Sequence, residues 1–285
     1  MKAPQFAYRA PRSIKEAVTA LAESEGMGKI LAGGQSLVPT MNFRLARPDM
    51  LIDINRISEL DFARPENGKL RIGALTRHAA FERPFFEGPL ARLLADVVQH
   101  IAHVPIRTRG TFTGSLAHAD PASEWCLVAC TLDAEMVAHS LEGERIIPAA
   151  EYFVTTLTTA LTENELLVEA RLPLLDDSWK HGFCEFNRRA GDFALSMSLV
   201  ALKIENGRIA EARIGIGGVE DKPVRAPDAE AYLIGKTGEA ADRVEAARLA
   251  SEGIQPMDDM HAPADYRRDL TRAMVRRALE RALAR

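Results

Sequence analysis

Arg107-Thr108-Arg109-Gly110-Thr111-Phe112-Thr113-Gly114-Ser115 gathers two glycines, four hydroxyls and two cations into nine residues. That density of polar groups is foreign to a core strand, and the spaced glycines are more structured than a linker requires. The segment runs on through Leu116-Ala117-His118-Ala119-Asp120-Pro121 towards a helical stretch over 122–132.

A second glycine-rich stretch lies upstream. Lys29-Ile30-Leu31-Ala32 reads as a short strand that runs straight into Gly33-Gly34-Gln35-Ser36-Leu37, with helix expected from Ser36 towards Leu45. Glycine lets backbone N–H groups approach an anion without an obstructing Cβ, and it accepts positive φ. A strand-to-loop-to-helix junction also aims free N–H groups and the positive end of a helix dipole at that anion. Ser36 can donate its hydroxyl or cap the following helix. Alone, Gly-Gly-x-Ser is an ordinary tight turn. Paired with residues 107–121, it reads as half of a cradle for a dinucleotide pyrophosphate.

Outward from the loops, residues 1–55 read as β–α–β. Ser13-Ile14-Lys15-Glu16 is a capping box, and Ile14, Ala17, Val18, Leu21 and Ala22 share one helical face behind it. From 57 to 175 short strands are expected at 70–74, 135–138, 145–147 and 166–172, with a helix over 89–102. After Pro173-Leu174-Leu175-Asp176-Asp177, strands follow at 182–188, 196–205 and 211–219. Asn206-Gly207 between the last two marks a hairpin. Helices then cover 229–234, 239–252 and 266–283.

The composition, 47% apolar and 27% charged, suits a globular protein with a core, and 285 residues allow two domains. A formal net charge of -4 gives no basic field for nucleic acid. No apolar stretch reaches the ~20 residues of a membrane span, and the N-terminus lacks a signal-peptide core, so a cytoplasmic location is expected. Three cysteines, Cys126, Cys130 and Cys184, read as buried thiols; four would be needed to hold an iron–sulfur cluster. His100, His103, His118 and Asp120 do not fall at metal-ligand spacing. Gly235-Lys236-Thr237 has Glu230 where a phosphate loop needs glycine, and Gly215-Ile216-Gly217-Gly218 lacks the third glycine of a nicotinamide fingerprint. No catalytic acid–base pair or nucleophile stands out.

In their order and spacing these pieces resemble the FAD-binding medium subunits of molybdenum hydroxylases, closest to the carbon monoxide dehydrogenase group and related to xanthine dehydrogenase FAD subunits. The likeness covers nearly the whole chain. It rests on Phe6-Ala7-Tyr8, Ala32-Gly33-Gly34-Gln35-Ser36-Leu37, Leu51-Ile52-Asp53-Ile54-Asn55, Ile72-Gly73-Ala74-Leu75-Thr76, residues 107–121, Arg188-Arg189-Ala190-Gly191-Asp192-Phe193-Ala194 and Asp265-Tyr266-Arg267.

The resemblance implies an α+β chain. Residues 1–175 would form a two-subdomain FAD-binding fold of the vanillyl-alcohol oxidase (PCMH) type, with subdomains of about 1–56 and 57–175. Residues 178–285 would form a small C-terminal domain with a three-stranded antiparallel sheet and helices. Ala32, Gly33, Gly34, Gln35, Ser36 and Leu37, with Gly110, Thr111, Thr113, Gly114 and Ser115, are assigned to the pyrophosphate and adjoining parts of FAD. Asp120 is placed near the ribityl or diphosphate end. Leu161, Asp192 and Phe193 would approach the isoalloxazine. Gln35 stands where relatives with covalent flavin have histidine, so the FAD is expected to be non-covalent. Thr113 replaces the first of the usual paired glycines, which leaves the tightness of binding open.

The function implied is electron transfer. A molybdopterin large subunit would oxidise the substrate, a small subunit with two [2Fe–2S] clusters would relay electrons, and FAD here would pass them to an external acceptor. The assembly would be a heterotrimer, dimerised. A stand-alone FAD oxidase of the same fold, or a scaffold without flavin, are the alternatives.

Overall fold

The computed structural model describes residues 2–284. The chain opens with β1 (Ala7–Arg9), α1 (Ile14–Glu23), β2 (Gly28–Leu31), α2 (Leu37–Asn42) and β3 (Met50–Asp53). The three strands form a parallel sheet in the order β1-β3-β2. The capping box operates in part. Ser13 Oγ accepts the Glu16 N–H at 3.2 Å, while the Glu16 carboxylate takes the Arg12 N–H rather than that of Ser13. α1 buries Ala17, Val18, Ala20 and Leu21 against this sheet.

A second sheet follows, antiparallel, in the order β4-β5-β10-β6-β7. Its strands are β4 (Ala63–Glu66), β5 (Lys69–Gly73), β6 (Glu135–Ser140), β7 (Gly143–Pro148) and β10 (Leu166–Pro173). Between β5 and β6 the chain makes α3 (Pro89–Val98), α4 (Val104–Arg107), α5 (Phe112–His118) and α6 (Glu124–Thr131). Between β7 and β10 lie α7 (Ala149–Tyr152) and a small hairpin of β8 (Phe153–Thr155) and β9 (Thr158–Thr159).

The third sheet is antiparallel, β11 (Trp179–Phe186), β12 (Ser196–Glu205), β13 (Arg208–Gly217) and β14 (Val224–Arg225). It has one strand more than expected, because Val224 and Arg225 fold back to pair with Ile216 and Gly215. Asn206 and Gly207 turn the β12–β13 hairpin with φ of 51° and 74°. α8 (Pro227–Leu233), α9 (Ala240–Glu252) and α10 (Ala264–Leu283) complete the chain. Among the described residues no helix is long and apolar enough to cross a membrane.

Several helices are shorter than their apolar pattern. α2 stops at Asn42, where Arg44 turns left-handed (φ 59°) and the Leu45 N–H folds back to Thr40 O. α3 stops at Val98, ahead of Ala102 with φ 42°. α6 starts at Glu124 because Asp120 Oδ1 takes the Ala122 N–H at 2.9 Å in a preceding turn.

The largest core is shared. Trp125 on α6 packs against Phe81 and Phe112, with ring centroids 5.3 and 4.9 Å apart. The same cluster takes in Leu90, Leu93 and Val97 of α3 and Trp179, Phe183, Met197 and Leu199 of the third sheet. The C-terminal strands therefore share apolar contacts with the helices that carry the second glycine loop.

One ionic element sits at the centre of the second sheet. Arg71 on β5 grips Glu169 on β10 with two bonds of 2.6 Å, and Arg171 Nε adds a third at 2.6 Å. The Glu169 side chain is only 6% exposed, so removing its charge leaves two cations facing a neutral group. Glu169→Gln is expected to cost about 2–4 kcal/mol, read as a lower urea midpoint with an unchanged m-value.

Candidate functional site

The two glycine stretches meet. β2 delivers Gly33 onto the backbone of Arg109 and Gly110, so that a Cβ at position 33 would lie 2.4 Å from Arg109 O and 2.6 Å from Gly110 Cα. Only glycine fits there. Gly34 follows with φ of 70° and turns the chain into α2.

Along this first loop, the earliest N–H with a protein acceptor is that of Val38, which donates to Gly34 O at 3.1 Å. Among the described residues, the N–H groups of Gly33, Gly34, Gln35, Ser36 and Leu37 have no protein acceptor. The Gln35 amide folds back to donate to Gly33 O at 3.1 Å, and the exposed Ser36 hydroxyl makes no cap bond. Of the two roles expected for Ser36, capping α2 is therefore not the one it performs.

The second loop is built from beneath. Thr111 Oγ1 caps α5 by accepting the Gly114 N–H at 3.1 Å. Thr113 is buried, and its hydroxyl donates to Ala74 O at 3.0 Å. The residue that departs from the usual paired glycines thus ties the loop to the end of β5. The N–H groups of Thr111 and Thr113 are again without a protein acceptor among the described residues. Ser115 O accepts from Cys126 Sγ at 3.4 Å. Arg107, counted above among the loop's cations, is buried and held by Glu82 at 2.7 Å and by Ile101 O at 3.1 Å. Arg109 is exposed.

Two residues not singled out from the sequence brace the pair. Asn55, just past β3, donates from Nδ2 to Ala32 O at 2.8 Å and to Asp53 Oδ1 at 2.6 Å. Arg77, just past β5, donates from Nη2 to Asn55 Oδ1 at 2.6 Å and from Nη1 to Arg109 O. Asn55 holds the first loop, Arg77 holds the second, and they hold each other. Burial, then the neighbouring Arg109 charge, pull the Arg77 guanidinium below its usual range. Asn55 closes the quoted segment 51–55 and Arg77 directly follows the segment 72–76, which was the signal available in the sequence.

The other expected contacts lie further along. Asp120 is half-buried beyond Ala119, whose left-handed φ of 52° ends α5. Leu161 follows the β8–β9 hairpin and is half-buried against the large core, and the hairpin is tied to α5 by Leu157 N–H to Ala119 O at 3.1 Å. Asp192 and Phe193 are exposed on the β11–β12 turn, the Phe193 ring at 68%. A Cβ at Gly191 would fall 2.4 Å from the His103 ring, so this turn lies against the entry to α4 and the second loop.

Residues 4–175 match the model of the FAD binding domain in molybdopterin dehydrogenase, and residues 181–282 match the CO dehydrogenase flavoprotein C-terminal domain. The chain belongs to this family of FAD-binding subunits. It is 41% identical to the 6-hydroxypseudooxynicotine dehydrogenase complex subunit alpha of Paenarthrobacter nicotinovorans, covering 100% of this chain and 97% of that one. It is 35% identical to the carbon monoxide dehydrogenase medium chain of Hydrogenophaga pseudoflava, over 99% and 98% of the two chains. A chain in the crystal structure of quinoline 2-oxidoreductase from Pseudomonas putida 86 superposes with a TM-score of 0.92 at 36% identity, covering 100% of this chain and 99% of that one. The protein is thus a medium, FAD-binding subunit of the molybdenum hydroxylase type, an oxidoreductase component whose cofactor is FAD.

Beneath this flavoprotein's second loop lies His78. Its N–H donates to Gly110 O at 3.0 Å, and its Nδ1 accepts the Trp125 indole N–H at 2.9 Å. Burial, with Arg77 and Arg107 nearby, lowers the imidazole to about 4. The folded state therefore binds fewer protons here than the unfolded chain. This contribution is complete above the unfolded value of about 6.5 and is lost as pH falls towards 4. The loss amounts to about 2 kcal/mol by pH 5. Glu124 works in the opposite direction: burial, then Glu185, raise it to about 8, which removes stability as pH rises from its ordinary value through 8. His78→Asn keeps an acceptor for Trp125 without the titration. Urea unfolding of variant and wild type at pH 7.5 and pH 5 should show a smaller acid loss in the variant.

Proposed function

We propose that residues 32–37 and 110–115 hold the pyrophosphate of a non-covalent FAD, with Arg109 at its edge. Asp120 would stand at the ribityl or diphosphate end, and Leu161, Asp192 and Phe193 at the isoalloxazine. The observation that carries this reading is the seating of Gly33 on Arg109–Gly110, which concentrates N–H groups lacking a protein acceptor on both sides of one backbone contact. Such groups suit a doubly charged pyrophosphate, since each donates without a side chain to reorganise. Gln35 bonded back to Gly33 supplies no nucleophile for a covalent flavin link.

When bound, FAD supplies the exchange between one-electron and two-electron carriers, and the protein's task is to bind and tune it. Within a heterotrimer, dimerised as a whole, the subunit's role is electron transfer. Electrons would come from the [2Fe–2S] clusters of a small subunit served by a molybdopterin large subunit, and leave for an external acceptor. Relatives named for a nicotine derivative, for carbon monoxide and for quinoline match this chain over nearly its full length, which supports a reading in which substrate choice lies on another subunit. Residues 1–175, in parts of about 1–56 and 57–175, would form the FAD domain and residues 178–285 the C-terminal one. The chain would work in the cytoplasm.

Titration of the purified chain with FAD, followed by quenching of flavin fluorescence, tests the site. Wild type should bind, and Gly33→Val should bind at least about 100-fold more weakly, because the loops can no longer meet. Asn55→Ala should weaken binding about tenfold. Unchanged affinity in Gly33→Val would sink the placement. Co-purification of a flavin-loaded chain with an iron–sulfur subunit, and its reduction by that subunit, checks the electron-transfer role.

A further inference from the structure

Arg267, near the start of α10, is 3% exposed and reaches three separate pieces of chain. Its Nη1 donates to Leu195 O at 2.9 Å and to Gly218 O at 2.8 Å, and its Nη2 to Asp259 Oδ2 at 2.7 Å. Leu195 closes the base of the β11–β12 turn that presents Asp192 and Phe193; its N–H pairs with Phe186 O at 2.8 Å. Gly218 in turn donates its N–H to Pro121 O at 2.8 Å. One guanidinium therefore joins the Phe193 turn to the Asp120–Pro121 segment through two carbonyls and a single residue, Gly218.

Stability alone is a poor reason for this residue. Its Nε is buried without a partner among the described residues, and an apolar side chain would join helix to sheet at lower desolvation cost. What only arginine supplies is a planar fork that meets two carbonyls from different strands on one side and a carboxylate on the other. Asp259 is itself fixed, with Oδ1 accepting the N–H groups of His261 and Ala262 at 2.8 and 3.0 Å. A second stitch follows one turn later, where Thr271 meets Ser196 at 3.0 Å. The neighbouring Arg268 differs: it donates to Ser251 O and Ile254 O, both at 3.2 Å, and so stays within the helical layer.

We propose that Arg267 is a positioning residue, which holds the Gly191–Phe193 turn and the Asp120–Pro121 segment in fixed register around the bound flavin. This rests on the reading above that both segments face FAD. Its signature is a change in the flavin's surroundings out of proportion to any change in fold.

The test uses the full chain, with FAD affinity and the visible circular dichroism of bound flavin as readouts. Arg267→Lys and Arg267→Ala should bind FAD about tenfold or more weakly with altered dichroic bands, and added guanidinium should restore the alanine variant. Arg268→Ala should keep wild-type affinity and bands. The inference is overturned if Arg267→Lys folds with wild-type affinity and spectrum, or if Arg268→Ala weakens binding as much. Should neither Arg267 variant fold, Asp259→Asn is read by the same two criteria. Failure of wild type to bind FAD would instead remove the underlying reading, and this inference with it.

Discussion

Two backbones at the candidate site approach more closely than any side chain would permit. Gly33 rests on Arg109 and Gly110 at a separation that a Cβ would close to 2.4 Å. Because the contact is backbone on backbone, neither loop can be repacked by changing a rotamer. The chain must bring the ends of β2 and β5 to fixed places, and the hydrogen bonds that do so are specific. Asn55 takes the carbonyl just before Gly33, and Arg77 takes the carbonyl just before Gly110. Their mutual bond converts two separate braces into one. The strand ends of two different sheets are thus registered to each other within a single polar network.

Charge around the loops is arranged with the same economy. Arg107 faces inward to Glu82, His78 is held neutral under Gly110, and buried Glu124 is raised to about 8. The floor beneath the second loop therefore gives up one ionised carboxylate at neutral pH and keeps its imidazole neutral well below it. A charged imidazole there would share a confined space with Arg77 and Arg107, and a charged Glu124 would face Glu185. In the proposed site, recognition would be left to backbone donors and to Arg109 at the rim. Such donors bind an anion without taking or giving a proton, as befits a subunit in which the cofactor performs the chemistry.

Much of this was legible in the sequence, and the limits have physical causes. The glycine loops were visible because glycine and hydroxyl residues cluster where two backbones approach too closely for a Cβ. The β12–β13 hairpin was visible because Asn206-Gly207 suits two successive positive φ angles. Helix ends were read too long, since Arg44 and Ala102 adopt left-handed conformations that no local signal marks. β14 and the β8–β9 hairpin were missed because strands of two or three residues carry no periodicity. Asn55 and Arg77 lay within or beside quoted segments, yet their partners are 22 to 32 residues away and only the fold reveals them. Thr113 shows the converse. By pattern it was an intrusion into a glycine loop, but its hydroxyl finds Ala74 O and the loop gains an anchor.

The C-terminal sheet and helices belong to the same argument. The large core runs from α3 and α6 into Trp179, Phe183, Met197 and Leu199, so the two halves cannot rock against each other without breaking apolar contacts. Arg267 adds direction to that adhesion, since hydrogen bonds fix angles where apolar packing alone fixes mainly distance. A pyrophosphate gripped by N-terminal loops and a ring faced by a C-terminal turn would make the interface between halves part of the cofactor site. Reorientation by an ångström would move Phe193 relative to the glycine loops while leaving every strand intact. That sensitivity accounts for placing a costly buried guanidinium where a leucine would have served the fold.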